Sequence, residues 1–314
     1  MQNLMQKRGG DMYKSQNVLV VVDFRQEKHH ALPRALELAK RFGSQLTVIT
    51  CVYQHIVDLV PNGSGIDLER IRHEATAHYE NELRDMVNPL IEAGFQVDAD
   101  IHFEVLWSKS FSEGLLQYVS ANNFDLVVKT AHQHGTLEKV FFTPTDWHLL
   151  RDCETNILFV KKGAWPSSTN ILGAINIEDD EAHQRLNHDI VNATAAIAES
   201  CQSDGHILNV FPWAKIDLDK FKYLFDKEDQ FLAIKNIHRK QVEAFVKDYP
   251  SLLDNIIIAE GLEPDETIPE IIKSTFSDLL IMGCVRRRGF AGMVIGNTVE
   301  KILDDINCEV LVLK

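Results

Sequence analysis

Short runs of Val, Ile and Leu alternate along this chain with longer stretches in which apolar residues return every three or four positions. The short runs predict β-strands, and the 3.6-residue period predicts helices. Strands are expected at residues 18–23, 46–52, 97–104, 126–130 and 157–161, and again at 171–176, 206–211, 255–259, 279–283 and 310–313. Helical segments include 31–42, 68–93, 110–122, 182–200, 218–247 and 298–304. Near-continuous aliphatic side chains in the strands imply burial on both faces, as in parallel strands covered by helices. The expected architecture is α/β, with two domains at residues 12–162 and 170–314, each a five-stranded parallel sheet flanked by helices on both faces. The polar, proline-containing stretch 162–169 reads as the linker between them. Residues 1–11 are polar, lack the apolar core of a secretory signal and are set aside from the fold.

The two halves are copies of one another. Val18-Leu19-Val20-Val21-Val22-Asp23 matches Ile171-Leu172-Gly173-Ala174-Ile175-Asn176 at an offset of 153 residues, and Asp125 matches Asp278 at the same offset. Near the end of each copy, the stretch from Cys153 echoes the stretch from Asn307 and Cys308 with a small slip in register.

Composition narrows the partners. With 32 basic against 46 acidic side chains the formal net charge is −14, which opposes direct binding to a nucleic-acid backbone. The five cysteines are scattered and form no CxxC pair, a pattern suited to the reducing cytoplasm and not to a disulfide framework or a zinc knot. Apolar runs such as 18–22 and 279–282 fall far short of the roughly 20 residues a membrane span requires.

The most specific local feature is the loop Gly283-Cys284-Val285-Arg286-Arg287-Arg288-Gly289-Phe290-Ala291-Gly292-Met293-Val294-Ile295-Gly296-Asn297-Thr298. It resembles the loop of the universal stress protein family in which Gly, two residues, Gly, nine residues and Gly-Ser or Gly-Thr cradle ATP phosphates. The stretch Phe142-Thr143-Pro144-Thr145-Asp146-Trp147-His148-Leu149-Leu150 further resembles tandem members of that family. The resemblance covers residues 12–314. It implies a cytoplasmic stress-response protein, resistance to DNA-damaging conditions, and two copies that pair as a built-in dimer open to further homodimerisation. It also implies an adenine-nucleotide site, with ATP and its Mg as the cofactor and no other metal.

Carried over residue by residue, the resemblance makes Asn176, Gly283, Arg286, Gly289, Gly292, Gly296, Asn297 and Thr298 the candidate nucleotide-binding residues of the second copy. Glycines admit close backbone approach, and a helix start presents free N–H groups to an anion. Arg286 stands where the second glycine belongs, and Asn297 where Ser or Thr belongs. The three consecutive arginines offer charge-assisted bonds in compensation. The bland alternative is a solvated basic loop with Asn297 as an N-cap and Glu300 completing a capping box.

In the first copy, Thr130, Gln133 and Thr143 occupy the glycine positions and Pro144 the Ser or Thr position. Pro144 has no N–H to donate, and Asp146 places negative charge in the first helical turn. Thr143-Pro144-Thr145-Asp146 therefore predicts an ordinary helix start with Thr143 as N-cap and Asp146 at N3. Asp23 matches the acidic residue that contacts adenine in binding members of the family, but without the glycine loop it reads as a strand-end turn aspartate.

Other constellations carry less. His73 and His78 are five apart on a helix and face different directions, and His132 and His134 lack a third ligand. Residues 218–247 mix aromatic and aliphatic side chains with charges and suit core packing, or alternatively an apolar groove for a small molecule or protein. Three functions follow: a stress protein acting by binding, a scaffold with the phosphate site lost, and a nucleotide-hydrolysing enzyme. The enzyme ranks last because no metal-binding carboxylate or positioned base accompanies the loop.

Overall fold

The computed structural model describes residues 16–61, 64–95, 97, 100–133, 140–161, 165, 169–178, 180–211, 227–261, 263–284, 287–289, 292–294 and 297–314. The chain divides into two compact units. One comprises Ser15–His132 and Phe142–Ala164; the other comprises Trp165–Lys314 together with Gln133–Phe141.

In the first repeat the elements run β1 (Asn17–Val21), α1 (Ala31–Phe42), β2 (Gln45–Val52), a 3-10 turn (His55–Leu59), α2 (Leu68–Glu92), β3 (Ile101–Trp107), α3 (Phe111–Ala121) and β4 (Leu126–Thr130). They continue with β5 (His132–Gln133), β6 (Val140–Phe141), α4 (Pro144–Asp152) and β7 (Asn156–Val160). The second repeat runs β8 (Ile171–Ile175), α5 (Glu181–Cys201), β9 (Gly205–Phe211), α6 (Lys227–Val246), α7 (Pro250–Leu253), β10 (Ile256–Glu260), α8 (Pro264–Ser274) and β11 (Leu279–Gly283). It ends with β12 (Arg287–Gly289), β13 (Gly292–Val294), α9 (Asn297–Asp305) and β14 (Glu309–Leu313).

Each repeat builds a parallel five-stranded sheet, in the order β3-β2-β1-β4-β7 and β10-β9-β8-β11-β14. Right-handed crossovers that run first to one side of the first strand and then to the other place the two sets of helices on opposite faces. In keeping with this, α3 packs with α4 and α8 with α9, while α5 packs with α6. Every residue of β4 is buried, as a central parallel strand requires, and so is every residue of β14. The order reverses between β1 and β4, and between β8 and β11, which opens a crevice beyond the carboxyl ends of those strands.

Strand pairing sharpens the internal repeat. Val18 pairs with Leu126 and Leu126 with Asn156; 153 residues later, Ile171 pairs with Leu279 and Leu279 with Glu309. The last strands are thus in phase, and the slip inferred from the cysteines is absent. Cys153 and Cys308 are not equivalent positions. Phase is lost only toward β9, where Gly205 pairs with Ile171 whereas Leu46 pairs with Val18.

Local sequence accounts for most element ends. Gly43 closes α1 in the left-handed conformation, φ 68°, and Asp67 caps α2 by accepting from Arg70 N at 3.0 Å. The segment expected as a strand at 97–104 instead forms β3 over Ile101–Trp107, because pairing with β2 runs from Leu46↔Ile101 to Val52↔Trp107. The partner strand's length sets those limits. Within the expected helix 218–247 the structure describes Lys227–Val246. Helix α8, not among the segments read from sequence, starts with Pro264 and contains Pro269. Burial of Ile268, Pro269 and Ile272 sustains it despite the interior proline. Trp165, in the stretch read as linker, is buried and donates from Nε1 to Glu309 Oε2 at 2.8 Å. Among the described residues, no helix is long and apolar enough to cross a membrane.

Candidate functional site

In the first repeat the chain leaves β1 through Val22 and Asp23. Asp23 is 5% exposed and is gripped by Arg25: Nε donates to Oδ1 at 2.8 Å, Nη2 to Oδ2 at 2.7 Å, and the Arg25 backbone N–H to Oδ1 at 3.0 Å. Burial pushes the Asp23 carboxyl up, but these bonds and the charges of Arg25 and Lys129 outweigh it, holding the group below its ordinary value. Both oxygens of the residue matched to adenine contact thus already have a bidentate partner. Beside it, burial pushes the Cys51 thiol up to about 12, with the Asp23 charge adding to the effect.

Thr130, at the end of β4, is buried, and its Oγ1 accepts from Ala31 N at 2.9 Å. The N-cap of α1, His30, offers no capping side-chain bond, so a residue 99 positions away supplies it. Helix α4 starts as its sequence predicts. The Thr143 side chain accepts from Asp146 N at 3.3 Å, and Asp146 Oδ2 accepts from Thr143 N at 2.7 Å, a complete capping box. Asp146 is fully buried, and its Oδ1 lies 2.7 Å from Nζ of Lys129, which is itself 1% exposed. The helix start that would face a phosphate therefore carries an internal carboxylate with its own cation. Gln133 lies in β5, and its side chain is outside the described residues.

In the second repeat, Asn176 is exposed and its polar groups are engaged. The buried Asn187 of α5 pairs both main-chain groups of Asn176, donating to its carbonyl at 2.7 Å and accepting from its N–H at 3.2 Å. The Asn176 side chain donates to Glu178 Oε1 at 2.6 Å. Deeper in the strand ends, Asn209 donates to Ile175 O at 3.2 Å, which leaves its Oδ1 to accept from His238 Nδ1 at 2.8 Å. That fixes the proton of neutral His238 on Nδ1, and burial holds the imidazole below its usual pKa.

Gly283 ends β11, where a Cβ would overlap the side chain of Leu186 from α5. Its glycine therefore serves helix-on-strand packing. Beyond it, β12 and β13 pair antiparallel, Arg287 with Val294, Arg288 with Met293 and Gly289 with Gly292. Helix α9 begins at Asn297, so Asn297 and Thr298 are its first residues, and their side chains lie outside the described residues. Arg286 and Gly296 also lie outside them. Sequence reasoning missed Arg25, Lys129, Leu186, Asn187 and Asn209; only the charge of Arg25 two residues after Asp23 could have signalled its role.

Comparison with known proteins agrees with the duplicated fold. The model of the "Universal stress protein family" matches residues 14–161 and 185–314. "Universal stress protein E" of Salmonella typhi is 31% identical over 301 residues, covering 95% of this chain and 94% of that protein. The protein of the same name from Escherichia coli K12 is 30% identical over the same coverage. A crystal structure titled as a putative universal stress protein from Pseudomonas aeruginosa UCBPP-PA14 superposes with a TM-score of 0.71 at 25% identity, covering 96% of this chain and 93% of that one. A universal stress protein from Archaeoglobus fulgidus DSM 4304, at 15% identity and a TM-score of 0.63 over 96% of this chain and 99% of that one, shares the fold. With a duplicated parallel sheet of one strand order and matches spanning both copies, the chain belongs to the universal stress protein family.

Proposed function

We propose that this stress-response protein acts in the cytoplasm by binding, not by turnover, with at most one adenine-nucleotide site, in the second repeat between Gly283 and Thr298. One observation carries the asymmetry: the buried Asp146 carboxylate, paired with Lys129, stands at the third position of α4, where a phosphate would otherwise meet the helix. A triphosphate there would find helix-start donors already taken by the Thr143–Asp146 capping box, and the donor of Pro144 missing. In the second repeat no acid precedes Glu300 in the first turn of α9, and three arginines adjoin the loop, which supports anion binding there. The names of the relatives support a role in the stress response, and resistance to DNA-damaging conditions rests on the family resemblance alone. The filled strand-end crevice of the first repeat favours a second reading, in which the protein is a scaffold for an apolar small molecule or protein.

Calorimetric titration with ATP, with and without Mg, separates these readings. One equivalent bound by the wild type and lost in Gly296→Pro supports the proposal. Two equivalents would overturn the assignment of the first repeat, and no heat at several temperatures would favour the scaffold. ATP hydrolysis abolished in the Gly296 variant would revive the enzyme.

A further inference from the structure

Between β8 and α5 three side chains converge outside the loop discussed above. His183 Nδ1 hydrogen-bonds Asp180 Oδ2 and lies 3.4 Å from Glu178 Oε2, and the donor atoms of all three residues fall within 4.8 Å of one another. We propose that Glu178, Asp180 and His183 form a binding site for a divalent transition-metal ion, zinc by its donor set.

The orientation of each ligand supports this. Asp180 is the N-cap of α5: its Oδ1 accepts from Ala182 N at 3.0 Å and His183 N at 3.1 Å, which fixes the carboxylate and turns Oδ2 toward the imidazole. Glu178 Oε1 is held by Asn176 Nδ2 at 2.6 Å, and its main-chain carbonyl accepts from Gln184 Nε2 at 3.1 Å, so Oε2 faces the same point. Each carboxylate is thus oriented through one oxygen and presents the other. Such supporting bonds are those that position ligands in metal centres.

A neutral imidazole carries one proton, and Nδ1 can share it with only one of two competing carboxylates at a time. A doubly charged cation satisfies all three donors together. Neighbouring ligands of a tetrahedral ion with bonds of about 2.0–2.2 Å lie about 3.4 Å apart. His183 Nδ1 and Glu178 Oε2 stand at that spacing, whereas His183 Nδ1 and Asp180 Oδ2 are closer, in a direct hydrogen bond that the ion would replace. The His183 side chain is 14% exposed whereas Glu178 and Asp180 are about half exposed, so an ion enters from solvent past the carboxylates onto an enclosed nitrogen. An imidazole beside two carboxylates suits zinc, while magnesium and calcium favour all-oxygen shells. The cluster also sits beyond the carboxyl end of β8, at the reversal of strand order where this fold class takes ligands. Asn176 then acts as a positioning residue for Glu178.

The test is titration of the full chain with Zn²⁺ alone against a chromophoric chelator, alongside His183→Ala and Glu178→Gln, with far-UV circular dichroism confirming the fold of each. The expected result is one equivalent in the wild type, weakened about tenfold or more in each variant, with Asn176→Ala weaker than wild type by a smaller factor. Co²⁺ in place of zinc should give ligand-field bands without thiolate charge transfer. Unchanged affinity in both His183→Ala and Glu178→Gln, or a thiolate band, would overturn the proposal and assign the metal to other histidines or to the cysteines.

Discussion

Lys129 and Asp146 form an ion pair at 2.7 Å with both side chains almost wholly shielded from water, one at the penultimate position of the central strand β4 and the other in the first turn of the helix that follows. Desolvating two charges costs several kcal/mol each; their mutual attraction, the bonds from Thr143 and the donation of Lys129 Nζ to Thr130 O at 3.3 Å offset it. The carboxylate is therefore committed to the fold.

Removing one partner strands the other. Asp146→Ala should destabilise the protein by about 3–5 kcal/mol in urea unfolding, since it leaves the buried Lys129 charge uncompensated. The double variant Lys129→Met with Asp146→Asn keeps the cap and removes both charges, and should recover most of the loss. A single variant within about 1 kcal/mol of wild type would contradict the buried pair.

Gly283 answers to Leu186. Gly283→Ala drives a methyl group into that side chain and should cost about 1–3 kcal/mol by thermal or denaturant unfolding. Combining it with Leu186→Ala makes room, so the cost of the alanine at 283 should shrink in that background. If the glycine served only a ligand's approach, the single variant would unfold like wild type.

Asp23 links stability to acid. Its folded pKa lies below the unfolded value, so its contribution is fully present above about pH 3.9 and is lost as pH falls through the lower folded value. Asp23→Asn should therefore be less stable than wild type at pH 6, and the gap should narrow as pH falls below about 4. A gap that widens on acidification would show the opposite sign.

Cys51 should be a sluggish thiol. With its pKa pushed up to about 12, little thiolate exists at pH 8, and alkylation of the folded protein should run one to two orders of magnitude slower than for a free cysteine, roughly, after allowing for its greater intrinsic nucleophilicity. Mass spectrometry after a timed iodoacetamide pulse reads this directly. Labelling of Cys51 at the free rate would exclude the shift.

Much of the fold was legible because it is written in local periodicity. The bounds of α1, β4 and β11 coincide with the expected segments, and the capping box of α4 was readable from four consecutive residues. The cap rests on near neighbours in sequence, and the strand and helix bounds on unbroken apolar patterning within each segment. The limits of β3 were not legible, since its partner β2 determines how far pairing extends. The phase of the last strand was misread for a related reason: the cysteines marked a resemblance, and backbone pairing, not residue identity, defines equivalence.

The site divides the same way. By itself the sequence determined the duplicated α/β pattern, the family, the negative charge and the unsuitability of Pro144 for holding a phosphate, because these depend on composition, repeat and the covalent chemistry of single residues. Only the tertiary structure decided that Arg25 closes on Asp23, that Lys129 answers Asp146, that Leu186 fills the space over Gly283 and that His183 meets Glu178 and Asp180. Those contacts depend on side-chain directions at the ends of strands and helices. Strand order and packing set such directions, and no short-range pattern in the chain records them.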